Sequence, residues 1–598
     1  MNKKTIVFVS LILASFFVLF LIPSAKADNA VPHRMIRYDG NGGTSEAFGN
    51  SYDAQVTGIH DRENTLQGVS YFSREGYLLA GWNTAPDGSG IHIGLGSRIT
   101  YSEGLILYAE WAEATDESLF ASENGTILSY IGSGNTVVIP DTIEGQAVKK
   151  IAEGAFSNLA LKSLILPPSL ETIENGAFSK CMIENLTLYD RIKTLSDDSF
   201  AECTVHTVHV NAARPPVYSG SYFDTFSDKY DYLLTITDKQ KLVLFSGSSG
   251  RYGYDSPAIE SAFPQYRVVN MGVYAYTNAL PQYELIRPLM REGDILLVAP
   301  EFDAVREQFC TENCLDSGFW AMMESNYDAA ATLDLARYTN IFNSFADYQK
   351  VRSGMAYRGY GESPWSFDDD GNRYTFATYN TQGDFILPRP NSERDELHRH
   401  NIADYTTETV TPDAADSLDR TLRIFTKSGI KVYFTYAPRN RSSLTERSTK
   451  GEREAVHSML CSRLSVPVIS EIEDSLYSGI YFWNIDNHLS TEGVSIRTAQ
   501  VIRDLKAAVS GGKTERPSAM KDFRIPYPAA LGLYALSLLL ILLGRWRRLE
   551  WAEFASGIIW ATATITALVY GAPGSFLLIC TLLLLLASIP YRKRGEQA

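Results

Sequence analysis

At residues 151–156, 173–178 and 195–200 the chain repeats one pattern, an aliphatic residue followed five places later by phenylalanine: Ile151 with Phe156, Ile173 with Phe178, Leu195 with Phe200. The interval is 22 residues, and it recurs in Leu164, Leu186 and Val208 and again in Leu166, Leu188 and Val210. A unit this short cannot bury its own aliphatic positions, so it folds only by stacking on copies of itself, with equivalent residues aligned in ladders. The period therefore predicts a short solenoid over residues 120–212, one rung per repeat. About three rungs is the minimum for such a stack, which suits a stiff spacer better than a wide concave platform. Cys181 and Cys203 occupy equivalent places in successive rungs and predict a ladder of buried thiols, a disulfide being the alternative.

The pairs Ala155-Phe156 and Ala177-Phe178 make this block resemble the BspA-type leucine-rich repeat. Ahead of it, residues 36–111 begin with Tyr38, Asp39, Gly40, Asn41, Gly42 and Gly43, pass through Gly81 and Trp82, and end on Tyr108, Ala109, Glu110 and Trp111. Short β-prone runs divided by Gly, Asn and Asp predict a small all-β module with tight turns. In these landmarks it resembles the Listeria–Bacteroides surface repeat, a β-grasp-like module, present here once instead of in tandem. Residues 211–219, with Pro215 and Pro216, read as a linker.

The chain ends predict export and a membrane. Lys3 and Lys4, an apolar run over residues 5–22 and Ala25-Lys26-Ala27 predict a signal peptide over residues 1–27, an uncleaved anchor being the alternative. Apolar stretches at 525–543, 554–570 and 575–590 predict three transmembrane helices within 525–591. Arg545, Arg547 and Arg548 between the first two, and Arg592, Lys593 and Arg594 after the third, place those segments in the cytoplasm and residues 28–524 outside. The expectation is a multi-pass cell-membrane protein, the bilayer among its partners, with a membrane acyl-donor protein as a further candidate. A net charge of −15 argues against nucleic acid as the main partner. Six cysteines in this length are not a disulfide framework, although Cys310 and Cys314 could close a small loop. Neither they nor His398 and His400 bring enough companions to predict a metal site.

Residues 220–512 alternate strand-like and helix-like patterns. Compact aliphatic or aromatic runs at 242–245, 267–270, 295–299, 432–436 and 466–469 are separated by amphipathic stretches such as 416–427, which predicts a doubly wound α/β domain with a parallel sheet. Chemistry in such sheets gathers at the carboxyl ends of the strands. After the first run come Ser246, Gly247, Ser248, Ser249 and Gly250, a turn that can expose a serine hydroxyl near helix N–H groups. Gly272 follows the second run. Asp486, Asn487 and His488 precede a final amphipathic helix whose face is Val494, Thr498, Val501, Ile502 and Leu505, with Ser490 as its N-cap.

Taken together, these places resemble the SGNH/GDSL hydrolase superfamily. The resemblance implies Ser249 as nucleophile (Ser248 being the alternative), Gly272 with the Ser249 amide in the oxyanion hole, and His488 as base. It implies no cofactor. Two departures stand out. Glu301 occupies the place of the family's oxyanion asparagine, and an ionised carboxylate there would repel a developing oxyanion. Ile485 occupies the usual place of the acid, with Asp486 two residues and Asn484 four residues before His488. In an extended segment residues two apart share a side, so Asp486 is expected to hold the imidazole, a Ser249–His488 dyad being the alternative. Trp365, in an aromatic insertion over 355–405 with Asn380, Gly383 and Asp384, is a candidate for stacking on sugar rings, and Glu301 a further substrate contact. The expected function is that of a serine esterase or O-acyltransferase acting on acyl, above all acetyl, groups of a cell-envelope polysaccharide. A surface adhesion or scaffold protein that binds glycan or protein without catalysis is the alternative.

Overall fold

The computed structural model describes residues 35–45, 52–56, 72–97, 105–213, 217–218, 221–302, 313–354, 378–393 and 402–512. Among them the chain combines a repeat region with mixed α/β structure, and no helix is long and apolar enough to cross a membrane. The expectation of C-terminal transmembrane helices and of a multi-pass membrane protein is corrected accordingly. The stretches on which it rested, within 525–591, lie outside the described residues, as do the expected signal peptide at 1–27, Cys310, His398, His400 and Trp365.

The 22-residue interval is realised as strand register. Thr136–Val138, Ala160–Ile165, Met182–Tyr189 and Thr204–Asn211 form a parallel sheet in which Leu164 pairs with Leu186 and Leu186 with Val208. Phe156, Phe178 and Phe200 stack ring on ring, with centroids 5.0 and 4.9 Å apart. Cys181 and Cys203 are free thiols, and Cys181 is buried with its Sγ against the Phe156 carbonyl.

A stack of rungs must be closed at its ends, and here other parts of the chain close it. Phe342, from the helix Ile341–Ser353 of the following domain, continues the aromatic ladder. The Asp197 carboxylate accepts the Phe342 and Asn343 N–H groups at the start of that helix, at 2.8 and 3.3 Å. Below it, Arg352 is fully buried between Asp190 and Glu324. One hydrophobic core runs from Phe120 in the first rung to Leu476 in the α/β domain. Residues 211–213, expected to begin a linker, are therefore part of the packing: Asn211 is buried, accepts the Leu95 N–H at 3.0 Å and donates to the Ala80 carbonyl.

The N-terminal module is a five-stranded sheet in the order Tyr52–Val56, Met35–Asp39, Leu105–Glu113, Tyr77–Asn83, His92–Ile93, with Met35–Asp39 and Leu105–Glu113 parallel. Its core is built on Tyr38 and Trp82, whose ring centroids are 4.7 Å apart. It lies directly on the last rungs, where Tyr189 Oη donates to the Leu79 carbonyl at 2.7 Å.

The α/β domain has four parallel strands: the first Gln240–Ser246, the second Tyr266–Asn270, the third Ile295–Ala299 and the fourth Lys431–Phe434, arranged second, first, third, fourth. Successive side chains of the first strand enter opposite cores. Val243 and Phe245 join the core shared with the repeats, whereas Leu242 and Leu244 pack with Ile259, Val501 and Leu505. The run at 466–469 contributes one bridge, Phe434 to Val468. Ser490 caps the final helix, Thr491–Val509, by accepting the Gly493 N–H.

Candidate active site

The carboxyl ends of the first three strands and the loop before the final helix meet at one place. The first strand leaves the sheet through Gly247 into the single helical turn Ser248–Arg251. Ser249 is fully buried in this turn, its Oγ 2.9 Å from Ser246 Oγ. The Ser249 N–H donates to Glu301 Oε1 at 2.7 Å. Glu301 can come this close because Gly247 has no side chain: a Cβ there would lie 2.6 Å from the same oxygen. Ser248, the alternative nucleophile, is also buried, at the start of the turn.

Gly272 stands beside the serine turn, as expected, and must be glycine, since a Cβ would lie 2.5 Å from the Arg251 nitrogen. Its N–H does not point into an open crevice. It donates to Asn270 Oδ1 at 2.9 Å, while its carbonyl accepts from Lys229 Nζ. Burial and the neighbouring Arg251 charge hold the Lys229 amine well below its usual pKa. Asn270 is fixed in turn by Asp384, which accepts its Nδ2 at 2.8 Å and also takes Ser256 Oγ and Asn380 Nδ2.

His488 is enclosed by the loop. Its Nδ1 lies 3.0 Å from Asn484 Oδ1, and its ring centroid is 4.2 Å from that of Tyr252. An amide oxygen only accepts, so the Asn484 contact places the imidazole proton on Nδ1 and leaves a lone pair on Nε2. Nε2 is buried and has no hydrogen-bond partner. Burial, followed by the charges of Arg251, Arg389 and Arg439, pushes the His488 pKa well below 6.5, so the ring is neutral.

Asp486 is the residue expected to hold the imidazole. Its Oδ1 accepts Asn440 Nδ2 at 2.7 Å and its carbonyl accepts the Asn440 N–H at 2.8 Å, so it fastens a neighbouring turn. The segment is not extended: the His488 N–H bonds back to the Ile485 carbonyl, and this turn brings the side chain four residues earlier, not two, beneath the ring. The Ser249 and His488 side chains do not hydrogen-bond to each other: Ser249 Oγ is paired with Ser246 Oγ, and His488 Nε2 has no partner. Glu301 joins the two loops instead, its Oε1 taking the Ser249 main-chain N–H and its Oε2 accepting Asn487 Nδ2 at 2.5 Å.

A shallow recess lies beside Ser246, lined by Phe245, Gly247, Tyr274, Tyr283 and Pro300. A second is lined by Asp228, Lys229, Tyr379, Asn380 and Gly383. Among the described residues no group of three or more His, Cys, Asp or Glu side chains could hold a metal ion. His457 bonds Tyr436 Oη at 2.8 Å and lies in the helix Lys450–Arg463. The site residues given no role from the sequence are Asn270, Asn484, Asn487 and Lys229. The first three lie within four residues of Gly272 or His488, but asparagine at such places is common and only the hydrogen bonds distinguish these.

No curated protein matches the chain. The family model for the BspA type leucine rich repeat region matches residues 133–214 in six copies, so the stack of rungs is a BspA-type leucine-rich repeat region.

Proposed function

We propose that the α/β domain is an SGNH-type serine esterase or O-acyltransferase acting on acyl, above all acetyl, esters of a cell-envelope polysaccharide. One observation carries this reading: a buried, neutral His488 whose Nδ1 is held by Asn484 and whose Nε2 lone pair is unpartnered, at the strand ends where Ser249 stands. That is the state a general base needs. Ser249 Oγ would attack the ester carbonyl and pass its proton to His488 Nε2. Collapse of the tetrahedral intermediate would return that proton to the departing sugar oxygen, and water or a second sugar hydroxyl would then take the acyl group. The N-terminal module, with its resemblance to the Listeria–Bacteroides repeat, suits a role at a polysaccharide surface.

A second reading is a non-catalytic adhesion or scaffold protein. It is favoured by the capture of the Ser249 N–H by Glu301 and of the Gly272 N–H by Asn270. Hydrolysis of p-nitrophenyl acetate by the full chain, compared with Ser249→Ala and His488→Ala, separates the two. Loss in both variants supports the esterase, and equal rates in all three proteins sink it. Loss with Ser248→Ala but not Ser249→Ala would move the nucleophile by one residue.

A further inference from the structure

The third strand offers a carboxylate where acyl-transfer chemistry calls for a donor, which leaves open what would stabilise a developing oxyanion. Glu301 is 1 % exposed and uses both oxygens: Oε1 takes the Ser249 N–H at 2.7 Å and Oε2 takes Asn487 Nδ2 at 2.5 Å. Asn487 is itself 1 % exposed and adjoins His488. The two oxygens of a carboxyl group share one carbon, so these donors reach the same small group from opposite loops.

We propose that Asn487 Nδ2 and the Ser249 N–H are the oxyanion donors of this site, and that Glu301 is their resting occupant, displaced when an ester carbonyl binds. The inference rests on the esterase reading and deepens it by supplying the missing amide from the histidine loop. Asn487 is then a catalytic residue, touching the oxyanion. Gly272, whose N–H is committed to Asn270, is a positioning residue that lets the serine turn pack closely. With Glu301 displaced, one oxygen receives both donors while Ser249 Oγ forms the new bond to carbon and His488 Nε2 takes the proton. A substrate therefore has to displace a carboxylate from two hydrogen bonds, which biases the site against weakly bound small esters.

The test measures the rate at which a fluorophosphonate–rhodamine probe phosphonylates Ser249 in the full chain, together with kcat and KM for p-nitrophenyl acetate. Glu301→Ala is expected to react roughly tenfold faster than wild type, since a charge-assisted hydrogen bond no longer has to be broken. Adding Asn487→Ala to that background is expected to lower kcat by roughly 100-fold with little change in KM, the effect of deleting one oxyanion donor. An Asn487 that only anchors Glu301 would have no effect once Glu301 is gone, so an unchanged rate in the double variant overturns the proposal. If Glu301→Ala does not fold, as judged by its thermal midpoint, Glu301→Gln provides the background. It retains the shape but meets Asn487 donor to donor. Absence of Ser249 labelling in every variant would overturn the esterase reading itself, and this inference with it.

Discussion

Phe342 stacks on Phe200 with ring centroids 3.9 Å apart and planes 13° apart, closing the aromatic ladder of the repeats with a side chain from the α/β domain. Both rings are nearly fully buried, at 4 % exposure each. The rungs and the domain are thereby parts of one cooperative core, and the solenoid is a buttress instead of a detached spacer. Phe342→Ala is expected to lower stability by about 3–5 kcal/mol. It should also speed hydrogen exchange in Thr204–Asn211, the last strand of the stack. Faster exchange confined to residues after 221 would contradict the shared core.

The same joint contains a buried cation. Arg352 Nη1 lies 2.9 Å from Asp190 Oδ2 of the repeats, and its Nε contacts Glu324. Removing the guanidinium strands two buried carboxylates, so Arg352→Met should cost about 3–5 kcal/mol. Burial already raises the Glu324 pKa against the pull of Arg352. A raised carboxyl pKa means that the folded state binds the proton more tightly, so stability falls as pH rises. Without Arg352 the variant should be most stable in acid and recover when Glu324→Gln is added. Unfolding midpoints measured across pH would check both; a variant that gains stability with rising pH would exclude this account.

How far the sequence could be read depended on the range of each interaction. The repeat register was legible because every ladder contact spans a constant 22 residues. The capping Phe342 was not, because nothing near it in sequence marks it as the next rung, and residues 211–213 passed for a linker although Asn211 is buried between modules. At the site, Ser249, Gly272 and His488 could be placed because each follows a strand or precedes a helix. The support for His488 could not be assigned, because extended backbone and a turn select different neighbours, Asp486 or Asn484, and only the hydrogen bond from the His488 N–H to Ile485 decides between them.

Asp504, on the inner side of the final helix, offers a separate pH test. Burial raises its pKa from 3.8 to about 6, although Arg497 and Arg503 lower it. The folded state therefore holds this proton more tightly than the unfolded chain, and the associated stability is present below about pH 4 and lost as pH rises to about 6. Asp504→Asn removes that loss. At pH 7 it should stabilise by at most about 3 kcal/mol and flatten the stability profile between those two values. An unchanged profile would mean that Asp504 is solvated in the folded chain.

The orientation of His488 gives the sharpest test of the site itself. Asn484 fixes the tautomer that leaves Nε2 unprotonated, whereas Asp486 fastens the Asn440 turn. Asn484→Ala should therefore lower the rate of Ser249 phosphonylation by about 100-fold or more, the usual size of a general-base contribution. Asp486→Asn should alter the rate far less while lowering the thermal midpoint. Because burial and three arginines hold the imidazole well below 6.5, the rate should also stay flat as pH falls through 6.5 and decline only at more acidic pH, where His488 takes up a proton. A rate that halves near pH 6.5 would indicate a solvated histidine, and a larger loss from Asp486→Asn than from Asn484→Ala would return the orienting role to the carboxylate.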